Sequence, residues 1–335
     1  MPRSKLIVCA GKELFSSFFS TAQQTRLAQA FDWERQAFRQ ITPALIRKMQ
    51  SAQALITTWD SPKFPADLIR FAPNLRIIAH CGGEVKSRFA RPLFDLLTIT
   101  AAPGPMARST AEMGAVFLLY CARNVDFYRD ELRRRSNRIY KTLHLHGSTE
   151  SLIGRQVAMI GFGRIGRALV DLMRAFDVQW RVYDPYASKS LSEQYPVHFV
   201  ELKELLPAAR LLVLAAALTE ETRGILNREN LACLPDGAAV INIARGGLID
   251  LQALTREVRS KRLHCALDVT DPLEPLPVGH PLRTLPGAII TPHVAGSGRG
   301  VRHEIAKVVM SDLESFFRGD GVENRVTADM LDRMT

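Results

Sequence analysis

One stretch constrains the fold of this chain more than any other. The run Arg155-Gln156-Val157-Ala158-Met159-Ile160 has the apolar character of a buried strand, and it leads without a gap into Gly161-Phe162-Gly163-Arg164-Ile165-Gly166. Behind the glycines, Ile165, Ala168, Leu169, Leu172, Met173 and Phe176 recur at helical spacing. The glycines therefore stand where a strand turns into a helix N-terminus. Gly161 suits the tight turn, Gly163 lets backbone approach a pyrophosphate, and Gly166 permits close helix–strand packing. The free N–H groups of the helix start complete an anion site. Eighteen residues after Gly166, at the end of the next strand-like run, stands Asp184. A carboxylate there accepts hydrogen bonds from ribose hydroxyls and repels a 2′-phosphate, so NAD is expected over NADP.

Short β-rich runs alternate with helical patterns along almost the whole chain, which predicts an α/β protein with parallel sheets covered by helices. The first third reads as one small doubly wound unit with strands near 6–9, 54–58, 75–79 and 96–100 and a helical segment near 65–71. A long, largely apolar helix is expected from Met106 to Asn124, bridging two domains. A second set of strands follows near 156–160, 178–183, 198–200, 211–216, 238–243, 263–267 and 288–291. The last helix carries Val301, Ile305, Val308, Val309, Leu313 and Phe316 on one stripe. It either completes the second domain or crosses back to the first.

At 335 residues the chain has room for two domains. The longest apolar runs, 211–218 and 114–122, fall well short of the ~20 residues that cross a bilayer. The five cysteines, Cys9, Cys81, Cys121, Cys233 and Cys265, are scattered and form no CxxC pair, as in a reduced cytoplasmic protein. Lys plus Arg exceeds Asp plus Glu by 44 − 34 = 10, which favours anionic partners without choosing among them. The basic run Arg133-Arg134-Arg135 with Arg138 lacks interleaved aromatics and reads as a solvated helix face, so nucleic-acid binding is not expected. His144 and His146 have no Cys or acid cluster at ligand spacing, and no metal site is expected.

In a doubly wound sheet, ligands bind beyond the carboxyl ends of the strands. Three polar groups follow apolar runs directly. Arg245 with Gly246-Gly247 ends the run 238–244, a planar cation suited to bidentate capture of a carboxylate. Asp268, then Asp271 and Glu274, follow the run 263–267, and His293 follows 288–291. A cation, an acid and a histidine beside a nicotinamide match hydride transfer at a hydroxyl-bearing carbon.

Four stretches, Leu152-Ile153-Gly154-Arg155 with the glycine loop, Leu218-Thr219-Glu220-Glu221-Thr222-Arg223, Asn242 through Asp250, and Thr291-Pro292-His293-Val294-Ala295-Gly296, resemble the D-isomer-specific 2-hydroxyacid dehydrogenase family. The resemblance runs over nearly the whole chain. It implies a Rossmann NAD domain at residues 113–297 and a flavodoxin-like substrate domain at 1–112 with 298–335, the last helix crossing back. It makes Arg245 the substrate-binding arginine, Glu274 the acid paired with histidine and His293 the acid–base. One extra residue between Asp268 and Glu274 leaves Asp271 as the other candidate acid. Cofactor contacts fall to Gly161, Gly163, Arg164, Ile165, Gly166, Asp184, Ala216, Ala217, Thr222, Ile243, Ala244, Asp268 and Thr110. Cys81-Gly82-Gly83 resembles the loop that holds the substrate carboxylate, and neighbouring His80 stands where it can shape substrate choice. The implied partners are a small 2-hydroxy or 2-oxo acid and a second copy in a homodimer. Two other functions use the same scaffold: a dinucleotide-sensing corepressor-like protein, and oxidation of another small anion such as phosphite.

Overall fold

The computed structural model describes residues 3–134, 151–188 and 190–334. The chain forms two compact units, Met1–Met106 with Ser297–Thr335, and Ala107–Gly296. In the first, strands β1 (Lys5–Cys9), β2 (Asp32–Gln36), β3 (Ala54–Thr57), β4 (Ile77–His80) and β5 (Thr98–Ala101) pair in parallel in the order β5-β4-β3-β1-β2. Alternation along β1 explains why helices cover both faces. Ile7 and Cys9 enter one apolar cluster while Leu6 and Val8 enter the other, and all four are fully buried.

The second unit repeats the logic with seven strands: β6 (Gln156–Ile160), β7 (Gln179–Tyr183), β8 (Val197–Phe199), β9 (Leu211–Leu214), β10 (Ala239–Asn242), β11 (His264–Leu267) and β12 (Ala288–Ile290). Their order is β12-β11-β10-β9-β6-β7-β8, all parallel. Val157 and Met159 of β6 feed one core cluster, Ala158 and Ile160 the other. Because the chain winds from β6 outward through β7 and β8 and then restarts at β9 on its other side, β6 ends at a topological switch point. After β12 the chain adds helix Arg299–Arg318 to the first unit, then β13 (Arg325–Val326), which runs antiparallel at the edge beside β5.

The two parallel-sheet α/β units agree with the fold class read from the sequence, and the expected strands fall within about two residues of those found. The departures have local causes. Strand β2, Asp-Trp-Glu-Arg-Gln, has no apolar run because it is an edge strand without a fully buried residue. The bridging helix runs Pro103–Ala122, three residues earlier than expected, since Pro103 and Pro105 occupy the first turn, where the missing N–H costs nothing. Only Leu68–Phe71 of the expected 65–71 segment is helical, and Phe64, just before the segment, forms an isolated bridge with Phe89. Arg135, Arg138, His144 and His146 lie outside the described residues. Among the described residues, no helix is long and apolar enough to cross a membrane, and no group of three or more His, Cys, Asp or Glu residues is placed to hold a metal.

Helix Arg299–Arg318 buries one acid, Asp312. Asn324 Nδ2 donates to its Oδ1 at 3.2 Å, while Oδ2 is buried without a hydrogen-bond partner. Burial raises the Asp312 pKa. A carboxyl whose folded pKa lies above its unfolded value (~3.9) favours the fold while protonated, and that contribution is lost as pH rises through the folded pKa. Asp312→Asn is therefore expected to raise the Tm by roughly 2 °C at pH 7 and to leave it unchanged near pH 3, measured by calorimetry.

Candidate active site

The glycine loop leaves β6 at the switch point with Gly161 at φ 90°. A Cβ there would stand 2.4 Å from the Ala216 backbone, so the loops after β6 and β9 touch only because position 161 has no side chain. Nothing lies within 4 Å of a Cβ at Gly163, whereas one at Gly166 would meet Gly161 O and Met159 Sδ at 2.9 Å. Helix Arg164–Leu172 starts without a side-chain cap, which leaves the N–H groups of Arg164, Ile165 and Gly166 to an anion. Asp184, after β7, accepts from Phe162 N–H at 2.7 Å and from Tyr186 N–H at 2.9 Å. It ties the glycine loop to β7 and keeps lone pairs for further donors. These features fit a dinucleotide.

Around this loop, Ala216, Ala217 and Thr222 are half-buried. Thr222 donates its hydroxyl to Ala217 O at 2.6 Å and accepts from Thr219 N–H at 2.8 Å, fixing the turn after β9. Ile243, Ala244 and Thr110 are buried, the first two in core clusters.

Strands β10, β11 and β12 end side by side, and each delivers one expected residue. Arg245 is extended, half-buried, and donates from Nη1 to Ala244 O at 2.8 Å. Its loop is shaped by fully buried Asn242, which accepts from Ala244 N–H at 3.0 Å and donates to Arg245 O at 2.9 Å. A Cβ at Gly246 would come within 2.2 Å of the Thr270 carbonyl carbon, so the arginine loop lies directly on the loop that carries the acid. There Glu274 Oε1 accepts from Thr270 N–H at 3.1 Å and Thr270 Oγ1 donates to Leu273 O at 2.6 Å. Glu274 Oε2 meets His293 Nδ1 at 2.7 Å. An ionised carboxylate can only accept, so Nδ1 carries the hydrogen and Nε2 is left to exchange a proton. The histidine's partner here is Glu274 rather than Asp271.

His293 itself has φ 54°, the left-handed region. Asp268, only 2% exposed, holds it there. Asp268 O accepts from His293 N–H at 2.8 Å. One carboxylate oxygen accepts from Thr291 Oγ1 at 2.5 Å and Val294 N–H at 3.0 Å, and the other from Ala295 N–H at 2.9 Å. The resemblance gives Asp268 to the nicotinamide carboxamide; in the structure both of its oxygens are engaged by the histidine turn. Ser109, from the bridging helix, donates to Ala295 O at 2.7 Å. Asn242, Thr270 and Ser109 escaped the sequence reading. Only Asn242 carried a signal, a polar residue inside the apolar run 238–244.

In the first unit, Cys81, Gly82 and Gly83 follow β4. Cys81 N–H donates to Thr57 O at 2.8 Å, Gly82 N–H to His80 O at 2.9 Å, and Gly82 O accepts from Ala102 N–H at 2.8 Å. Burial pushes the Cys81 thiol above its ordinary range. His80 is buried against Thr57, Nδ1 to Oγ1 2.9 Å, and burial, with a smaller contribution from Arg88, lowers its pKa to about 3. It is neutral at physiological pH.

Residues 115–295 match the family model for the D-isomer specific 2-hydroxyacid dehydrogenase NAD binding domain. The chain is 32% identical over 258 residues to the hydroxypyruvate reductase of Thermotoga maritima, covering 75% of this chain and 82% of that one. It is 31% identical over 287 residues to the D-3-phosphoglycerate dehydrogenase of Methanocaldococcus jannaschii, covering 84% of this chain but 53% of the relative, so it spans about half the length of that protein. The TT0316 protein of Thermus thermophilus superposes with a TM-score of 0.75 at 30% identity over 96% of this chain and 100% of that one. The chain belongs to the D-isomer specific 2-hydroxyacid dehydrogenase family, whose NAD-binding domain it carries.

Because a methyl at position 161 would collide with Ala216 backbone, which cannot give way as a flexible side chain can, Gly161→Ala is expected to weaken NADH binding by at least about tenfold. Titration of NADH fluorescence checks this.

Proposed function

We propose that this chain is an NAD-dependent oxidoreductase that interconverts a D-2-hydroxy acid and the corresponding 2-oxo acid. The observation that carries the reading is the Glu274–His293 pair at 2.7 Å beside the Arg245 loop at the carboxyl ends of neighbouring strands. Gly161, Gly163, Arg164, Ile165, Gly166 and Asp184 would hold the dinucleotide, and Asp184 disfavours a 2′-phosphate. A bound nicotinamide supplies hydride when the oxo acid is reduced and accepts it in the reverse direction.

Arg245 fixes the substrate carboxylate through paired N–H donors, which orients the 2-carbon. His293 Nε2 gives a proton to the oxo oxygen in reduction and removes it from the hydroxyl in oxidation. Glu274 stabilises the imidazolium and holds the ring through Nδ1, while Thr270 N–H fixes the carboxylate from its other oxygen. Asp268 aims the imidazole by holding its backbone. The Cys81-Gly82-Gly83 backbone takes part in substrate binding. A homodimer and a cytoplasmic location belong to this reading. A protein that only senses dinucleotide would have no use for the Glu274–His293 pair.

A panel of 2-oxo acids assayed by oxidation of NADH and NADPH tests the proposal; no turnover on any member with NADH bound would overturn it. His293→Ala is expected to lower kcat by about 10²–10⁴-fold while the NADH Kd moves less than about threefold. Arg245→Lys is expected to raise the oxo-acid KM by at least about tenfold, because a point charge cannot reproduce the fork.

A further inference from the structure

The loops after β7 and β9 flank the glycine loop, because the strand order runs β9-β6-β7. One hydrogen bond crosses between them: the Tyr186 hydroxyl donates to a carboxylate oxygen of Glu221. Both ends of this link stand on fixed backbone. Tyr186 N–H donates to Asp184 Oδ1 at 2.9 Å and Ala187 N–H to Asp184 O at 3.2 Å, which turns the chain after β7. Glu221 sits in the turn where Thr219 N–H donates to Thr222 Oγ1 at 2.8 Å and Arg223 N–H to Thr219 O at 3.0 Å.

Stability does not account for the link. Glu221 is exposed and Tyr186 is 54% exposed, and a hydrogen bond between exposed side chains gives the fold little net free energy once their lost rotamer freedom is counted. What the link fixes is the position of a charge. Tyr186 reaches Asp184 with its backbone N–H and Glu221 with its hydroxyl, so two carboxylates stand no more than one tyrosine apart. Among the described residues, no lysine, arginine or histidine forms an ion pair with either of them.

A dinucleotide with its pyrophosphate at the helix start after Gly163 lays its adenosine ribose toward Asp184. Ribose hydroxyls are neutral donors, which acceptor oxygens suit. A 2′-phosphate instead brings close to two negative charges against carboxylates without a counter-charge, and each like-charge approach adds to the cost of binding. We propose that Glu221, positioned by Tyr186, is a second cofactor-selecting carboxylate, which acts with Asp184 to exclude a 2′-phosphate from the adenosine end of the crevice. The inference deepens the proposed function: it rests on Asp184 as the ribose acceptor and not on the proton transfer assigned to His293.

The test measures Kd for NADH and NADPH by fluorescence titration in the wild type, Glu221→Gln and Tyr186→Phe. NADPH is expected to bind the wild type at least about a hundredfold more weakly than NADH. Glu221→Gln keeps the size of the side chain and removes its charge; the ratio is expected to fall about tenfold, through tighter NADPH, while the NADH Kd moves less than about threefold. Tyr186→Phe keeps the ring but releases the carboxylate into water, and part of the same fall is expected. Competition of adenosine 5′-diphosphate and of adenosine 2′,5′-bisphosphate against NADH is expected to show the fall on the adenosine end alone. A ratio unchanged in Glu221→Gln, or both cofactors weakened alike, overturns the proposal and leaves the link a tie between loops. A wild-type ratio near one overturns it together with the NAD preference of the proposed function. The expected ratios without turnover of any 2-oxo acid support the selecting role and overturn the reaction alone.

Discussion

The site depends on one buried carboxylate. Asp268 accepts three hydrogen bonds on its side chain and a fourth on its backbone oxygen, all from the five residues Thr291–Ala295. A charge this deeply buried is tolerable only when its lone pairs are filled, and bonds from N–H groups to an ionised acceptor are stronger than neutral ones. The set holds His293 in a left-handed backbone conformation that few residues other than glycine adopt. Everything chemical about the imidazole follows from where that turn leaves it.

A second layer builds on the first. Glu274 meets the imidazole only because Thr270 turns the chain back through its own N–H and hydroxyl, which absorbs the extra residue between Asp268 and Glu274. That loop in turn lies against Gly246, where backbone meets backbone and no side chain fits. Arg245 is thereby tied to the acid's loop. Parallel strand order does the rest, because β10, β11 and β12 end on the same edge.

The parts of this arrangement written in local sequence were legible. The glycine loop between β6 and its helix, and the polar residues that close three apolar strands, announce themselves through spacing alone. What depended on contacts between distant segments was not. Ser109 and Ala295 are far apart in the chain, Thr270 does not differ in type from an ordinary loop residue, and Asn242, though polar inside an apolar run, shows its partners only once the loop folds back on it. The choice between Glu274 and Asp271 required the turn to be seen. Strand β2 escaped because an edge strand needs no apolar run, and the helix at Pro103 began early because proline is at ease in a first turn.

The most direct measurement is a crystal structure of the chain with NADH and oxamate, an inert mimic of a 2-oxo acid. The account predicts the oxamate carboxylate paired with the Arg245 guanidinium and its amide oxygen within hydrogen-bonding distance of His293 Nε2, with the Glu274–Nδ1 bond kept. Oxamate bound with its carboxylate away from Arg245, or an imidazole directed away from the ligand, would contradict it.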